Sequence, residues 1–301
     1  MMPTKKLIED INRIKKEKNA ILLVHNYQRQ EIYEVADFIG DSLELSRKAA
    51  ETNADTIVFC GVKFMAETAK ILNPSKNVLL PNLSAGCSLA DMITLEDVEF
   101  LKANFPNAAV VSYVNTNADV KAVSDICCTS ANAIKVVNSL PNDEVIFLPD
   151  KNLGRYVQSF SEKKIILWDG FCSIHQELDR DDLISFKREH PLAKIIAHPE
   201  CNKAVLEVAD HICSTGGMGK FAAMDEGSEY IVVTECGMTN KLRDDVPGKE
   251  FFSFCNLCHY MKATTLELVL EALIEDKNPI IIDPEIMDKA RNSITRMLAV
   301  V

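Results

Sequence analysis

The chain has 301 residues, enough for two or three compact domains, and its 47% hydrophobic and 26% charged content is ordinary for a soluble globular protein. A net charge of −11 argues against a nucleic-acid binder, which needs a basic face, so any anion site must be built locally from backbone N–H groups and hydroxyls. No apolar run approaches the roughly 18–20 residues that span a bilayer, so the sequence predicts no membrane partner.

Residues 1–18 are lysine-rich and amphipathic, and they predict a surface helix. They lack the apolar stretch and the small-residue cleavage site of a signal peptide, which is typical of a cytoplasmic protein. A second helix is predicted near Pro284–Leu298, close to the other end of the chain. Both helices lie outside the repeat that organises the rest of the sequence.

A repeat of about 85 residues runs through the chain, and such self-similarity predicts copies of one structural unit. A Val-x-Asp motif ends at Asp37, Asp125 and Asp210, and five residues after each aspartate comes a hydroxyl residue: Ser42, Ser130 and Thr215. Three cysteines, Cys87, Cys172 and Cys258, are separated by 85 and 86 residues. Three units that each supply one thiol and one hydroxyl indicate a site on a pseudo-threefold axis.

Three short apolar strands are predicted in each unit, and they alternate with helical segments. The predicted strands are 20–25, 56–59 and 77–80, then 109–113, 144–147 and 164–167, then 194–198, 229–233 and 251–254. Ser42–Thr52, with Asp41 and Glu44 in capping-box spacing, and Met65–Leu72 read as helices. Buried strands alternating with helices predict parallel βαβ units with right-handed crossovers.

The predicted fold class is therefore α/β, with three homologous three-layer α/β/α domains whose parallel sheets are arranged about a pseudo-threefold axis. The predicted boundaries are a helix in 1–18, repeats at 19–105, 106–190 and 191–278, and a helix in 279–301 that packs back on the body. Because ligands bind beyond the carboxyl ends of parallel strands, polar side chains there should converge on one cavity. These are His25, Asn26 and Tyr27, then Tyr113 and Asn115, then His198 and Glu200.

A single histidine or tyrosine at a strand end is commonly structural, but a polar position in every copy favours a functional role. The hydroxyls have a simple alternative too, since Ser42, Ser130 and Thr215 fall where helices should begin and can act as N-caps. Capping and anion binding are compatible. The glycine-rich segment that starts at Ser214 and Thr215 is the most phosphate-like of the three turns.

The ten cysteines in a long chain without an export signal indicate reduced thiols, which are buried or metal-bound. Three thiolates are one short of a structural zinc site, whereas a 4Fe–4S cluster with three cysteines keeps one iron open as a Lewis acid. The alternative is that the periodic cysteines simply pack as small apolar residues. Cys255 is either a fourth thiol near the site or half of a C-x-x-C disulfide with Cys258. The remaining cysteines are expected in cores or at helix starts: Cys60, Cys127, Cys128, Cys201, Cys213 and Cys236.

Many ordered motifs over nearly the whole chain resemble the quinolinate synthase family. They are His25-Asn-Tyr27-Gln, Gly40-Asp-Ser42-Leu-Glu-Leu, Gly86-Cys87, Tyr113-Val-Asn115, Cys127-Cys-Thr-Ser130-Ala-Asn, Asp169-Gly-Phe-Cys172-Ser-Ile-His175, His198-Pro-Glu200-Cys, Ser214-Thr215-Gly-Gly-Met and Cys258-x-x-Met261-Lys. The resemblance implies three α/β/α domains around an oxygen-sensitive 4Fe–4S cluster held by Cys87, Cys172 and Cys258.

The resemblance also implies an activity in NAD biosynthesis, the condensation of iminoaspartate with dihydroxyacetone phosphate to quinolinate, phosphate and two waters. An aspartate oxidase or dehydrogenase usually supplies the iminoaspartate. Proton transfer and positioning are expected of Tyr27, Tyr113, His198 and Glu200. The substrates' carboxylates and phosphate are expected to contact His25, Ser42, Tyr113, Asn115, Ser130, His198, Glu200, Ser214 and Thr215.

One local departure concerns the last ligand, because the family often has proline after it and this chain has His259. The repeat interval and the following Met261-Lys262 favour Cys258 over Cys255 as the ligand. Two rival functions use the same residues. One is an aconitase-like hydro-lyase, and the other is a non-catalytic metal-binding or redox-sensing protein.

Overall fold

The computed structural model describes residues 3–300. It contains three sheets of four strands, and within each sheet the order in space is second, first, third and fourth along the chain. Every pair of hydrogen-bonded strands in these sheets is parallel, which confirms the predicted fold class. No helix in residues 3–300 is both long enough and apolar enough to cross a bilayer.

The first unit follows an N-terminal helix, α1 (Thr4–Glu17). Its strands are β1 (Ala20–His25), β2 (Phe38–Gly40), β3 (Thr56–Cys60) and β4 (Asn77–Leu79). Its helices are α2 (Gln30–Tyr33), α3 (Ser42–Glu51), α4 (Lys63–Leu72) and α5 (Leu95–Asn104), with a 3₁₀ turn at Ala90–Met92. Helix α3 begins with the capping box between Asp41 and Glu44 that the sequence predicts.

The second unit repeats this order. Its strands are β5 (Ala109–Tyr113), β6 (Ile126–Cys128), β7 (Glu144–Leu148) and β8 (Lys164–Leu167). Its helices are α6 (Ala118–Ala122), α7 (Ala133–Ser139), α8 (Lys151–Gln158), α9 (Ser173–Gln176) and α10 (Arg180–Glu189).

The third unit has the same succession of elements. Its strands are β9 (Lys194–Ala197), β10 (His211–Ile212), β11 (Glu229–Glu235) and β12 (Glu250–Asn256). Its helices are α11 (Lys203–Leu206), α12 (Thr215–Met224), α13 (Gly237–Asp245) and α14 (Leu266–Glu275), with a 3₁₀ turn at Met261–Ala263. The last helix of the chain is α15 (Pro284–Ala299).

The sequence predicts three strands in each unit, and this prediction is wrong by one strand. The strand that the sequence analysis does not predict is β2, β6 or β10. It is only two or three residues long and follows directly after the Val-x-Asp motif. Such a short segment has no alternating or continuous apolar pattern of its own. It forms because the first strand of each unit (β1, β5 or β9, the central strand) offers it a free edge.

The repeated aspartates have an equivalent structural role in all three units. The Oδ2 atoms of Asp37, Asp125 and Asp210 each accept a hydrogen bond of 2.7 Å from a backbone N–H of the central strand. The backbone N–H of each aspartate donates to the carbonyl of the same strand residue, at 2.9–3.0 Å. The strand residues in these two contacts are Leu22, Val110 and Ile195. The motif therefore fixes the start of the short strand, β2, β6 or β10, against the central strand.

The outer face of each sheet is covered by the last helix of the preceding unit. Side chains of α5 pack against the second sheet, and side chains of α10 pack against the third. Helix α14 is the last helix of the third unit, and its apolar side chains pack with those of α1 against the first sheet. The inner faces of all three sheets share one large core. This packing interlocks the units around the pseudo-threefold axis, and the residue bounds of the predicted units stay a prediction.

Helix α15 lies across the first and second units. Arg291 Nε donates to the carbonyl of Ile71 at 3.0 Å, and Ser293 Oγ donates to the carbonyl of Lys121 at 2.8 Å. Ala290, Ile294 and Met297 are fully buried on its inner side. The helix therefore packs over α4, α6 and β6 and ties the first two units together.

We predict that Asp125→Ala lowers the free energy of unfolding of the apoprotein by about 1–3 kcal/mol, because the buried N–H of Val110 loses its side-chain acceptor. Urea unfolding followed by circular dichroism measures this change. Asp143→Ala is the matched control, since Asp143 is exposed. Equal stability of the two variants would contradict the structural role of the motif.

Candidate functional site

A cavity of about 170 Å³ lies on the pseudo-threefold axis, where the carboxyl ends of the central strands meet. It brings together every candidate site residue except Ser214 and the strand-end residue Asn26. The candidate residues that line it are His25, Tyr27, Ser42, Cys87, Tyr113, Asn115, Ser130, Cys172, His198, Glu200, Thr215 and Cys258. Groups separated by up to 233 residues in sequence thus share one enclosed space, as the strand-end argument predicts.

His25 and His198 hold equivalent positions in the first and third units. In each case the Nδ1 atom accepts the backbone N–H of the residue two positions on, Tyr27 at 3.2 Å and Glu200 at 3.3 Å. Burial lowers the pKa of both imidazoles to about 3. Both rings are therefore neutral at physiological pH, with the proton on Nε2, and act as hydrogen-bond donors.

A chain of polar contacts runs from Tyr27 to Glu200 through two residues that neither the repeat nor the strand ends single out as catalytic. Tyr27 Oη lies 2.6 Å from Thr234 Oγ1, and Thr234 Oγ1 lies 2.8 Å from His175 Nε2. His175 Nδ1 lies 2.8 Å from Glu200 Oε2. The Tyr113 phenol also lies near Glu200, whose charge raises the pKa of that phenol. The two tyrosines are thus joined through one carboxylate.

Glu200 is the electrostatic centre of this network. Burial alone raises the pKa of its carboxyl, but contact with the His175 ring, with His198 and with Tyr113 lowers that pKa to about 2. Burial and the Glu200 charge raise the pKa of the Tyr27 and Tyr113 phenols well above 10. The site therefore combines the ionised Glu200 carboxylate with two phenols that keep their protons.

The hydroxyl residues follow the pattern that the repeat predicts. Ser42 and Thr215 are the first residues of α3 and α12, while the N-caps are Asp41 and Ser214, so simple capping is not the role of Ser42 or Thr215. Ser130 lies in the turn ahead of α7, and its Oγ lies 3.2 Å from His198 Nε2.

Asn26 lies outside the cavity lining, and its Nδ2 donates to Thr215 Oγ1 at 3.0 Å. Ser214 is the other candidate residue outside the lining. Its Oγ accepts the Gly217 N–H at 3.2 Å and donates to Asp41 Oδ2 at 3.2 Å. A side chain at Gly216 would place its Cβ 2.7 Å from the same Asp41 oxygen. Gly216 at the start of α12 therefore allows the first and third units to pack closely. This differs from the expected close approach to a ligand.

Cys87, Cys172 and Cys258 all line the cavity, one from each unit. Each is followed by a turn whose backbone N–H groups lower the pKa of its thiol: those of Leu89 and Ala90, that of His175, and those of Tyr260 and Met261. Burial nevertheless raises the pKa of all three thiols, that of Cys87 to about 12. These N–H donors favour thiolates, and a bound cation is what can displace the thiol protons.

A second set of possible metal ligands lies within the same cavity. Single ligand atoms of Cys172, His175 and Glu200 all lie within 4.8 Å of one another. His175 Nε2 contacts Thr234 Oγ1 at 2.8 Å, and its Nδ1 lies 2.8 Å from Glu200 Oε2 without hydrogen-bond geometry. A metal at this place would have to break the contact chain that joins Tyr27 to Glu200.

The remaining cysteines are four buried thiols, the half-buried thiol of Cys213, and one disulfide. Cys60, Cys127, Cys128 and Cys201 are buried, as expected for core residues. Cys236 and Cys255 form a disulfide with a Cα–Cα distance of 5.0 Å. This pairing corrects both alternatives predicted for Cys255, since its partner is Cys236 and Cys258 keeps a free thiol. Cys236 does lie at a helix start, as the residue ahead of α13.

Thr234 is missed by sequence reasoning because it has no periodic counterpart of its kind, and His175 stands out in the sequence only as a neighbour of Cys172. Two buried acids, Asp150 and Glu235, are also missed. Asp150 has an unusual environment, since burial and the Glu200 charge raise its pKa while the backbone N–H groups of Leu153 and Cys172 lower it. These residues are identified by their proximity in space to the predicted site residues.

Asn115 offers a polar atom with no partner in the described part of the chain. Its Nδ2 lies 3.4 Å from Glu200 Oε1, whereas its Oδ1 is buried without a hydrogen bond. An unsatisfied buried carbonyl is costly, so this atom is available to a ligand donor in the cavity.

Comparison with known proteins gives a consistent family. The family model for the Quinolinate synthetase A protein, NadA, matches residues 9–299. A quinolinate synthase of Methanoregula boonei is 52% identical over 301 residues, covering 99% of this chain and all of the relative. A quinolinate synthase of Geobacter metallireducens is 51% identical over 294 residues, covering 97% of each chain. Quinolinate synthase 1 of Methanosarcina acetivorans is 48% identical over 296 residues, covering 98% of this chain and 97% of the relative. The chain therefore belongs to the quinolinate synthase family of NAD-biosynthetic enzymes.

Proposed function

We propose that this enzyme condenses iminoaspartate with dihydroxyacetone phosphate and releases quinolinate, phosphate and two waters. We further propose that Cys87, Cys172 and Cys258 hold a 4Fe–4S cluster with one open iron. The single observation that carries the proposal is the convergence of three thiols, one from each unit, with a buried acid–base network in one cavity. Membership of the family supports the same activity.

The donor set fits a cluster better than a structural zinc ion. A structural zinc site takes four protein ligands, whereas three cysteines complete a 4Fe–4S cluster except at one iron. The backbone N–H groups that face each sulfur suit thiolate ligands of a cluster, because such hydrogen bonds stabilise charge on sulfur. When bound, the cluster supplies an electrophilic iron position for a substrate hydroxyl or carboxylate.

The buried network supplies the proton transfers that loss of water requires. Within residues 3–300, Glu200 is the one ionised carboxylate that contacts both Tyr113 and His175, so it serves as the proton acceptor. The tyrosines keep their protons and donate to developing negative charge. Tyr27 exchanges its proton with Glu200 through Thr234 and His175. General acid–base groups within hydrogen-bond reach of one another are what such a sequence of dehydrations needs.

The substrates are anions, and the cavity binds them with neutral donors. The Nε2–H groups of His25 and His198 and the hydroxyls of Ser42, Ser130 and Thr215 all face the cavity. The first turns of α3 and α12 add backbone N–H groups and the positive end of the helix dipole. Neutral donors bind carboxylates and phosphate without neutralising Glu200. Ser214 contributes by holding the start of α12 in place.

The source of the iminoaspartate and the cellular compartment complete the proposal. Iminoaspartate forms by oxidation of aspartate, so an aspartate oxidase or dehydrogenase is the functional partner. Eight of the ten cysteines are free thiols, which supports a reducing compartment, the cytoplasm. The decisive experiment is an anaerobic assay for quinolinate from the two named substrates. Dehydration of a simple hydroxy acid without quinolinate formation would favour the hydro-lyase instead.

We predict that the anaerobically purified protein is brown and holds about four irons and four sulfides per chain. Cys87→Ala, Cys172→Ala and Cys258→Ala should each lose the cluster, measured as iron, sulfide and visible absorbance. Cys255→Ala is the control, because Cys255 is paired with Cys236 and leaves Cys258 free. Stoichiometric zinc without sulfide, or a normal cluster in Cys258→Ala, would refute the ligand set.

We predict that Tyr113→Phe retains the cluster but lowers kcat by about 100- to 10,000-fold, the usual contribution of a general acid or base. The physical reason is that Tyr113 contacts Glu200 through its hydroxyl, which Phe lacks. Tyr156→Phe is a matched control, since Tyr156 lies outside the cavity lining. Full turnover in Tyr113→Phe would exclude its hydroxyl from the chemistry.

A further inference from the structure

The three cysteine loops are attached to the body by an equivalent backbone hydrogen bond. The carbonyl two residues before each cysteine accepts an N–H from the start of the helix that follows the third strand. Lys63 donates to Ala85 at 2.8 Å, Lys151 donates to Gly170 at 2.8 Å, and Cys236 donates to Asn256 at 3.3 Å. The residue directly before each donor is therefore also equivalent in the three units.

That preceding residue is a fully buried acid in two of the units. Asp150 Oδ2 accepts the backbone N–H of Cys172 at 3.1 Å, and its Oδ1 accepts the Leu153 N–H at 2.7 Å. Glu235 repeats this arrangement in the third unit. Its Oε1 accepts the Cys258 N–H at 3.1 Å, and its Oε2 accepts the Gly237 N–H at 2.7 Å. Asp150 and Glu235 are 0% and 1% exposed.

The first unit has Val62 at this position, so it lacks the acid. Its cysteine loop is shaped instead by Asn82, whose Oδ1 accepts the Ser84 N–H at 2.9 Å and whose Nδ2 donates to the Ala263 carbonyl at 2.9 Å. The acid is therefore no general requirement of the fold. It occurs only where a cysteine N–H faces the position.

Glu235 has a further partner that connects the third unit to the first. Lys262 Nζ lies 3.1 Å from the Glu235 carboxylate and also donates to the backbone carbonyl of Tyr27. The side chain of Lys262 is 13% exposed. One carboxylate thus contacts the loop of Cys258 and, through the lysine, the loop of the catalytic residue Tyr27.

We infer that Asp150 and Glu235 are positioning residues for the metal centre, which they hold in place through the backbone N–H groups of Cys172 and Cys258. This inference rests on the proposed cluster. A carboxylate accepts two N–H groups at once through its two oxygens, whereas an amide offers one oxygen and turns an NH₂ group toward the second donor. Asn or Gln therefore cannot reproduce the contact, although each has nearly the shape of the acid.

The test uses Asp150→Asn and Glu235→Gln in the full chain, reconstituted anaerobically with iron and sulfide. We expect iron release to an iron chelator to become about 10- to 100-fold faster, as for other outer-shell partners of metal ligands. We also expect an altered electron paramagnetic resonance spectrum of the reduced cluster, because the cysteine sulfurs move. Far-UV circular dichroism of the apoproteins should match the parent chain.

The matched control is Asp179→Asn. Asp179 accepts two backbone N–H groups, from Asp181 and Asp182, through the single oxygen Oδ1, so an amide oxygen can keep both contacts. Asp179 caps α10 and is not part of the cavity lining. Iron release as slow as in this control would overturn the inference. Faster iron release with an unchanged spectrum would also overturn it, because the two acids would then only support the structure. Apoproteins that fail to fold would overturn it as well. A parent chain that binds no cluster would refute the proposed function instead.

Discussion

The hydrogen bond between the repeated aspartate and the central strand is the contact on which the site depends. In each unit the strand residue that this carboxylate holds lies three positions before a site residue, His25, Tyr113 or His198. The same aspartate lies five positions before a cavity hydroxyl. One buried polar contact thus sets the strand end and the following turn together. Because a slip of one residue would turn alternate side chains to the other face, such a fixed register is required for convergence.

The circular packing of the units provides the second constraint. Both faces of a four-stranded parallel sheet have to be buried under helices, and a unit of about 85 residues has too few helices to bury both faces alone. Here each outer face is covered by the helix that ends the preceding unit, and the three inner faces share one core. The polar cavity on the axis is therefore enclosed by apolar packing on all sides of the ring. Enclosure in turn explains why both histidines are neutral and why the thiols favour their protonated form.

Features that repeat along the chain could be predicted from the sequence, and features without a periodic counterpart could not. The parallel strands, the helix starts and the three periodic cysteines recur in each unit, so self-similarity alone is enough to identify them. Thr234 and the acids Asp150 and Glu235 have no counterpart of the same type in the first unit, where Gly61 and Val62 precede α4. Cys236 likewise stands where the other units have Lys63 and Lys151, so its disulfide with Cys255 carries no periodic signal. The short strands β2 and β10, of three and two residues, are too short to show an apolar pattern.

A symmetric frame with unlike side chains suits the proposed reaction, because its two substrates and its proton transfers are not symmetric. The position two residues after the strand-end group is Tyr27 in the first unit, Asn115 in the second and Glu200 in the third. One is a phenol, one an amide and one a carboxylate, yet the frame delivers all three to the same cavity. Each unit brings one thiol to the cavity, so no single unit supplies the three thiols of the proposed cluster there. The chemistry therefore requires the closed ring, and any change that opens the ring should disperse the ligands and the proton network together.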